Sequence, residues 1–241
     1  MGYGSEKLWL QKSRNAPKSW EIPTGPLAFG RYSVQQGQIF QPSADGNLYV
    51  YDLETGTLAM TIALGVGSYG TPLVSQNRVY LSTLDRRIGA WNLKNGENLW
   101  FATLESRFLG DEPLLWKGLV LNQGQDGTLW ALDKDTGNVQ WSHKADLGSL
   151  VAGLDSVYFT QGGKTWGSSK NGSLSPLGNA VMLGEGLLGS KKVRIDAQGV
   201  FLLGDSTPIP LLRVPLRAAL IDQAGLYVLT VDGELRSYLW N

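Results

Sequence analysis

The sequence predicts an all-β chain: a closed, six-bladed β-propeller built from four-stranded antiparallel blades. Three observations lead there. The first is a hairpin unit, clearest at Asp126–Trp141 (DGTLWALDKDTGNVQW). Asp126-Gly127 readily supplies the positive φ angles of a tight hairpin. Leu129, Ala131 and Asp133 then alternate with Thr128, Trp130 and Leu132 at the period of a strand. Asp135-Thr136-Gly137 turns the chain again, with Gly free to take φ > 0, and the returning strand ends in Trp141. The second observation is that this unit recurs. Related stretches start at 45, 85, 126, 163, 198 and 232, at intervals of 40, 41, 37, 35 and 34 residues. A period in this range marks a solenoid or a propeller. The third is composition: 31 Gly beside few helix-length apolar patterns point to short strands joined by tight turns.

Taken in order, the chain opens with Ser5–Trp9, which reads like the tail of a repeat; compare Gly96–Trp100. Ser5–Leu10 thus supplies a fourth strand, while the C-terminus supplies three strands (Arg217–Leu220, Leu226–Leu229, then Glu234–Trp240 after the Asp232-Gly233 turn) and lacks a fourth. Joining the two ends completes one blade and pairs the last exposed edges. Gln11–Pro26 reads as the longest polar connection, carrying one large aromatic residue, Trp20. Such a loop is often a contact surface; alternatively Trp20 folds back over a blade edge. The blades then run at about 27–64, 65–104, 105–145, 146–180, 181–216 and 217–240 plus 5–10, as one domain over 1–241. Each opens on a short inner strand, such as Pro26–Phe29, Thr71–Val74 or Glu112–Leu115. An apolar second strand follows, such as Gln38–Phe40, Arg78–Leu81 or Leu119–Leu121. Packed faces between neighbouring blades form the core.

Three of the repeats share one spacing: Val50, Asp52, Gly56, Met60; Ala90, Asn92, Gly96, Trp100; and Ala131, Asp133, Gly137, Trp141. This resembles the tryptophan-docking repeat of the PQQ-like (quinoprotein-like) β-propellers. The resemblance is strong in blades one to three, partial at the N-terminus and eroded in blades four to six. It implies that the Trp of one blade stacks over a peptide plane of its neighbour, a role that falls on Trp9, Trp100 and Trp141, with Met60 and Pro176 as replacements. Kelch and tryptophan–aspartate repeats match less well, because the Gly-His…Trp-Asp signature is absent. Quinoprotein dehydrogenases share the repeat but are longer and eight-bladed, and many carry cysteines that this chain lacks. The resemblance therefore implies the non-catalytic branch, which includes the periplasmic scaffold lipoprotein of the outer-membrane barrel assembly machine. It also implies an extracytoplasmic location, a protein or larger complex as partner, and no cofactor.

Composition narrows the remaining chemistry. With 21 basic and 21 acidic residues there is no electrostatic footprint for nucleic acid or an anionic membrane. No apolar run is long enough to insert directly into a membrane, and the first residues lack the apolar centre of a secretion signal. Cysteine is absent, which excludes disulfides and thiolate chemistry. His143 is the single histidine, so multi-His zinc sites are excluded and a catalytic triad has little to stand on. Gly163-Lys164-Thr165 imitates the end of a phosphate loop, but Tyr158 stands where its first glycine belongs. Asp133, Asp135 and Gly137 imitate the start of a calcium loop without its distal glutamate. What remains is one propeller face. Its loops gather Arg31, Tyr69, Arg86, Arg87, Arg107, Phe108, Asp111 and Lys164, residue types favoured at binding hot spots; a plain solvated rim is the competing reading. A small-ligand or sensor role for the central channel is the alternative to a scaffold.

Overall fold

The computed structural model describes residues 2–4, 7–11, 18–23, 31–108, 113–179, 182–188, 191–202, 209–212, 215–221 and 225–239. Every regular element among them is a strand, and they fall into seven antiparallel sheets. The first contains β1 (Gly2–Gly4), β2 (Lys7–Gln11) and β3 (Lys18–Pro23), in that order. Five four-stranded meanders follow. They are β4 (Ser33–Gln35), β5 (Gln38–Pro42), β6 (Asn47–Asp52) and β7 (Leu58–Ala63); β8 (Leu73–Ser75), β9 (Arg78–Ser82), β10 (Arg87–Asn92) and β11 (Asn98–Thr103); and β12 (Leu114–Trp116), β13 (Leu119–Gln123), β14 (Thr128–Asp133) and β15 (Val139–Lys144). Then come β16 (Val151–Ala152), β17 (Val157–Gln161), β18 (Lys164–Ser168) and β19 (Leu174–Gly178), and β20 (Met182–Leu188), β21 (Lys191–Asp196), β22 (Gly199–Leu202) and β23 (Ile209–Leu212). The last sheet has three strands: β24 (Leu216–Ile221), β25 (Gly225–Thr230) and β26 (Leu235–Leu239).

The chain forms two compact units, Met1–His143 and Lys144–Asn241. In the first, the cores lie between successive sheets. Phe40, Leu48, Val50, Ile62 and Leu64 from one sheet meet Val74, Val79, Leu81 and Trp91 from the next. On the other face of that second sheet, Tyr80, Ile88, Ala90 and Trp100 meet Val120 and Leu132. Alternation along each strand makes this two-sided burial possible: odd and even residues serve different interfaces. In the second unit, Val193, Ile195 and Val200 pack on Leu216, Leu226 and Val228.

Two expectations change. Residues 7–11 do not complete the last blade. They form β2, flanked by β1 and β3, with Leu8 opposite Tyr3 on one side and Ile22 on the other. A strand with both edges paired has no free ladder to offer elsewhere, so residues 7–11 are not the outer strand of the last sheet. Nor is Gln11–Pro26 a loop throughout, since Lys18–Pro23 is the outer strand β3. The inner strand expected at Pro26–Phe29 lies outside the described residues; the first strand of that sheet is Ser33–Gln35.

Candidate partner-binding face and the tryptophan locks

One end of each of the first three four-stranded repeats is a capped turn. Asp52 Oδ1 accepts hydrogen bonds from the amides of Glu54 and Thr55 and from the Thr55 hydroxyl. Asp133 does the same with Asp135 and Thr136, and Asn92 accepts from the Lys94 amide. These bonds, led by the Thr55 and Thr136 backbone amides, hold both aspartate carboxyls below their ordinary pKa. The acid-rich loop that imitates a calcium site is thus a self-satisfied turn.

Each such turn closes on a glycine with φ between +71° and +74°: Gly56, Gly96 and Gly137. Two of these glycines carry an indole. A Cβ on Gly137 would lie 2.4 Å from the Trp100 ring, and one on Gly56 would lie 2.7 Å from the Trp20 ring. Trp100 Nε1 donates to the carbonyl oxygen of Lys134 at 3.1 Å, and Trp20 Nε1 to that of Leu53 at 2.9 Å. Both carbonyls belong to the residue after the turn's aspartate. The docking expected of Trp100 is therefore present, and Trp20 makes the same contact.

Trp20 is the third residue of β3, as Trp100 is of β11 and Met60 of β7. The registers agree: Leu10 pairs with Trp20, Val50 with Met60, Ala90 with Trp100, each beside a bulge. The docking expected of Trp9 falls on a side chain outside the described residues. Trp9 sits on β2, a central strand, opposite Glu21. Trp141 is buried and stacks on His143 with ring centroids 4.9 Å apart. A sequence signal for Trp20 existed. Leu10 to Trp20 repeats the ten-residue spacing of Val50–Met60 and Ala90–Trp100, and positions 20, 60 and 100 are forty apart. Lys12 and Ala16, standing where other repeats carry Asp or Asn and Gly, hid it.

The opposite end carries the face proposed from the sequence. In the first unit its loops are tied together through their backbones. The Leu84 amide donates to Gly67, the Leu104 amide to Arg86 and the Gln125 amide to Arg107. This chain of bonds runs from the loop holding Tyr69 to the turn of Arg86, and on to the loop of Arg107. Arg86 and Arg107 are exposed and Tyr69 is half-buried. Arg86 has φ +68°, at the turn position where Gly46, Gly127 and Gly233 have φ between +76° and +91°. Arg31 is exposed, two residues ahead of β4; Lys164 is exposed at the start of β18, in the second unit. Two residues leave the candidate face. Phe108 is 2% exposed and belongs to the core with Tyr80 and Trp100, because burying a phenyl ring outweighs displaying it. Arg87 is half-buried, its Nε 2.5 Å from Asp85 and its guanidinium 4.3 Å above the Phe101 ring, so it shields an otherwise exposed aromatic. Asp111 lies outside the described residues. In the second unit, a groove of about 570 Å³ is lined by Asp146, Ser149, Phe159, Thr160 and Met182 among others.

Residues 4–101 and 83–175 match the family described as outer membrane protein assembly factor BamB. The chain belongs to that family. Among curated BamB proteins it is 32% identical to that of Legionella pneumophila over 111 residues, covering 41% of this chain and 28% of the relative. It is 26% identical to that of Escherichia coli over 141 residues, covering 58% of this chain and 36% of the relative. The matches thus span about a third of the length of these curated BamB proteins. The crystal structure of BamB from Moraxella catarrhalis matches with a TM-score of 0.55 at 16% identity, over 95% of this chain and 90% of that one. The computationally designed Ika8 protein matches with a TM-score of 0.51 at 15% identity, over 88% and 70%. These likenesses show the fold: PQQ-like β-propeller repeats, as in BamB.

Proposed function

We propose that this chain is a non-enzymatic protein-interaction scaffold of the BamB kind, serving outer-membrane protein assembly from an extracytoplasmic position, and that its repeats close into a ring. The observation that carries the scaffold reading is Arg86. A non-glycine residue in left-handed backbone costs on the order of 1 kcal/mol, and the equivalent turns use glycine at no such cost. A long exposed cation kept at a strained position is better explained by what it contacts outside the chain than by folding. Arg107 lies on the adjoining loop, and paired guanidinium groups can grip carboxylates of a partner bidentately.

Arg86→Gly tests this directly. It relieves the strain, so urea denaturation should show a variant as stable as the parent or more so, by about 0.5–1 kcal/mol. Combined with Arg107→Glu, it should lose the proteins that the immobilised parent chain retains from a Gram-negative envelope extract. Full retention by the stable double variant refutes the assignment of this face.

The groove beside Asp146 favours a second reading, a small-ligand site, since its volume falls within the usual range for such pockets. Thr160→Trp would fill that groove. If this variant leaves partner retention unchanged, while a fragment screen by NMR finds ligands for the parent only, the ligand reading gains.

A further inference from the structure

The two interfaces of the first unit can be compared layer by layer through their strand registers. Val79 pairs with Trp91 and Leu81 with Gly89; on the next sheet Val120 pairs with Leu132 and Asn122 with Trp130. Asn122 therefore holds on β13 the place that Leu81 holds on β9. On the facing surfaces, Pro42 pairs with Leu48 and Ser82 with Ile88, so Ser82 holds on β9 the place of Pro42 on β5. Strand alternation puts Pro42 and Leu81 on the faces that share the first core, and Ser82 and Asn122 on the faces that share the second. From one interface to the next, both members of an apolar layer become polar together.

That polar layer is buried. Ser82 and Asn122 are each 1% exposed, and neither the Ser82 hydroxyl nor either polar atom of the Asn122 side chain has a protein partner. Two further groups adjoin it. Thr71 is 7% exposed and lies two residues ahead of Leu73, which pairs with Tyr80; continuing that register sets Thr71 against Ser82. Trp130 is the cross-strand neighbour of Asn122 on the same face. The Thr71 hydroxyl and the Trp130 indole nitrogen also lack protein partners. Buried polar groups are almost always satisfied, and internal water is the usual agent where protein groups are not.

We propose that the Ser82–Asn122 layer, with Thr71 and Trp130 beside it, is an internal water-binding site between the second and third repeat sheets. The donor and acceptor set selects the ligand. Nothing in the layer is charged, which disfavours an anion. Trp130 Nε1 and the Asn122 amide nitrogen can only donate, which disfavours a metal cation. A neutral molecule that both donates and accepts, and that fits between side chains, is water.

The test is a crystal structure of the parent chain at a resolution that orders waters, together with water magnetic relaxation dispersion in solution. Water within hydrogen-bond distance of both Ser82 Oγ and the Asn122 amide is expected, with at least one long-lived internal water seen in solution. Asn122→Leu with Ser82→Ala, which recreates the apolar layer, should remove that long-lived signal. Ser82→Ala alone, a minimal change that keeps the fold, should lower the number of long-lived waters or shorten their residence severalfold. Either a direct Ser82–Asn122 hydrogen bond without water in the crystal, or unchanged dispersion in the Ser82→Ala variant, overturns the proposal.

Discussion

Two turns of the first unit are nearly superimposable in design and differ in what they carry. Gly96 and Gly137 both close an Asx-capped turn at φ +74°. Gly137 is covered by the Trp100 ring, whereas the nearest side-chain atom to a Cβ on Gly96 would be that of Ile62, at 3.7 Å. The repeat before Gly96 offers Met60 where the repeat before Gly137 offers Trp100. The Trp-covered turn has a further tie: Arg78 Nη1 donates to the Lys134 carbonyl oxygen and to Asp135, so one carbonyl receives both the indole and the guanidinium. Inside, the comparison reverses. The Met60 interface has the apolar Pro42–Leu81 layer, and the Trp100 interface has the polar Ser82–Asn122 layer. The same turn is thus covered or left open according to one outer-strand side chain. The interface with the costlier interior has the stronger outer clasp.

The largest expected effect is at Trp100. Trp100→Ala should destabilise by about 3–5 kcal/mol, the range for truncating a packed aromatic, while Met60→Ala should cost roughly 1–2 kcal/mol because Met60 is only half-buried. Denaturant midpoints decide it, and equal losses would erase the contrast between the two interfaces. Trp20→Ala should fall nearer to Trp100→Ala than to Met60→Ala, at about 2–4 kcal/mol, since the indole is docked and hydrogen-bonded but half-buried. A loss below about 0.5 kcal/mol, the usual size for a surface change, would return Trp20 to the status of an exposed contact residue.

The glycines sharpen the same comparison. Gly96→Ala meets only the left-handed backbone and should cost about 1 kcal/mol. Gly137→Ala adds a collision with Trp100 and should cost about 3 kcal/mol or more, approaching loss of the indole contact itself. If the two alanines cost the same, the ring has room to move and does not grip the turn.

The smallest effect concerns pH. Asp52 and Asp133 have folded pKa values below the ordinary one. Their contribution is therefore present above the unfolded value, about 4, and is lost as pH falls through the lower folded value. Asp52→Asn with Asp133→Asn, mimicking Asn92, should leave stability at pH 7 little changed and flatten its decline below about pH 4. An unaltered acid limb would show that other carboxylates govern it.

Much of this architecture was legible because turns and strands are local. Asp-Gly pairs, the Asp-to-Gly spacing of the capped turns and strand alternation located the hairpins without any knowledge of neighbours. Trp100 was legible as a docking residue because its whole motif was present. Trp20 was not, because Lys12 and Ala16 had replaced the flanking signals while the docking contact, which needs only the indole and a partner turn, persisted. Phe108 and Arg87 read as face residues because a loop position says nothing about which way a side chain turns. One went into the core and the other onto Phe101.

By itself, then, the sequence determined an all-β chain of repeated meanders with self-satisfied turns, since each of those features depends on a few adjacent residues and on backbone geometry. Only the tertiary structure decided which edges pair. It gave β2 two neighbours within its own sheet, because antiparallel pairing to the nearest strands closes short loops at low entropic cost. Only it, likewise, brought the faces that carry Ser82 and Asn122 to one interface and set Trp100 against Gly137. These residues lie on different sheets, and nothing in the spacing along the chain specifies which faces will meet.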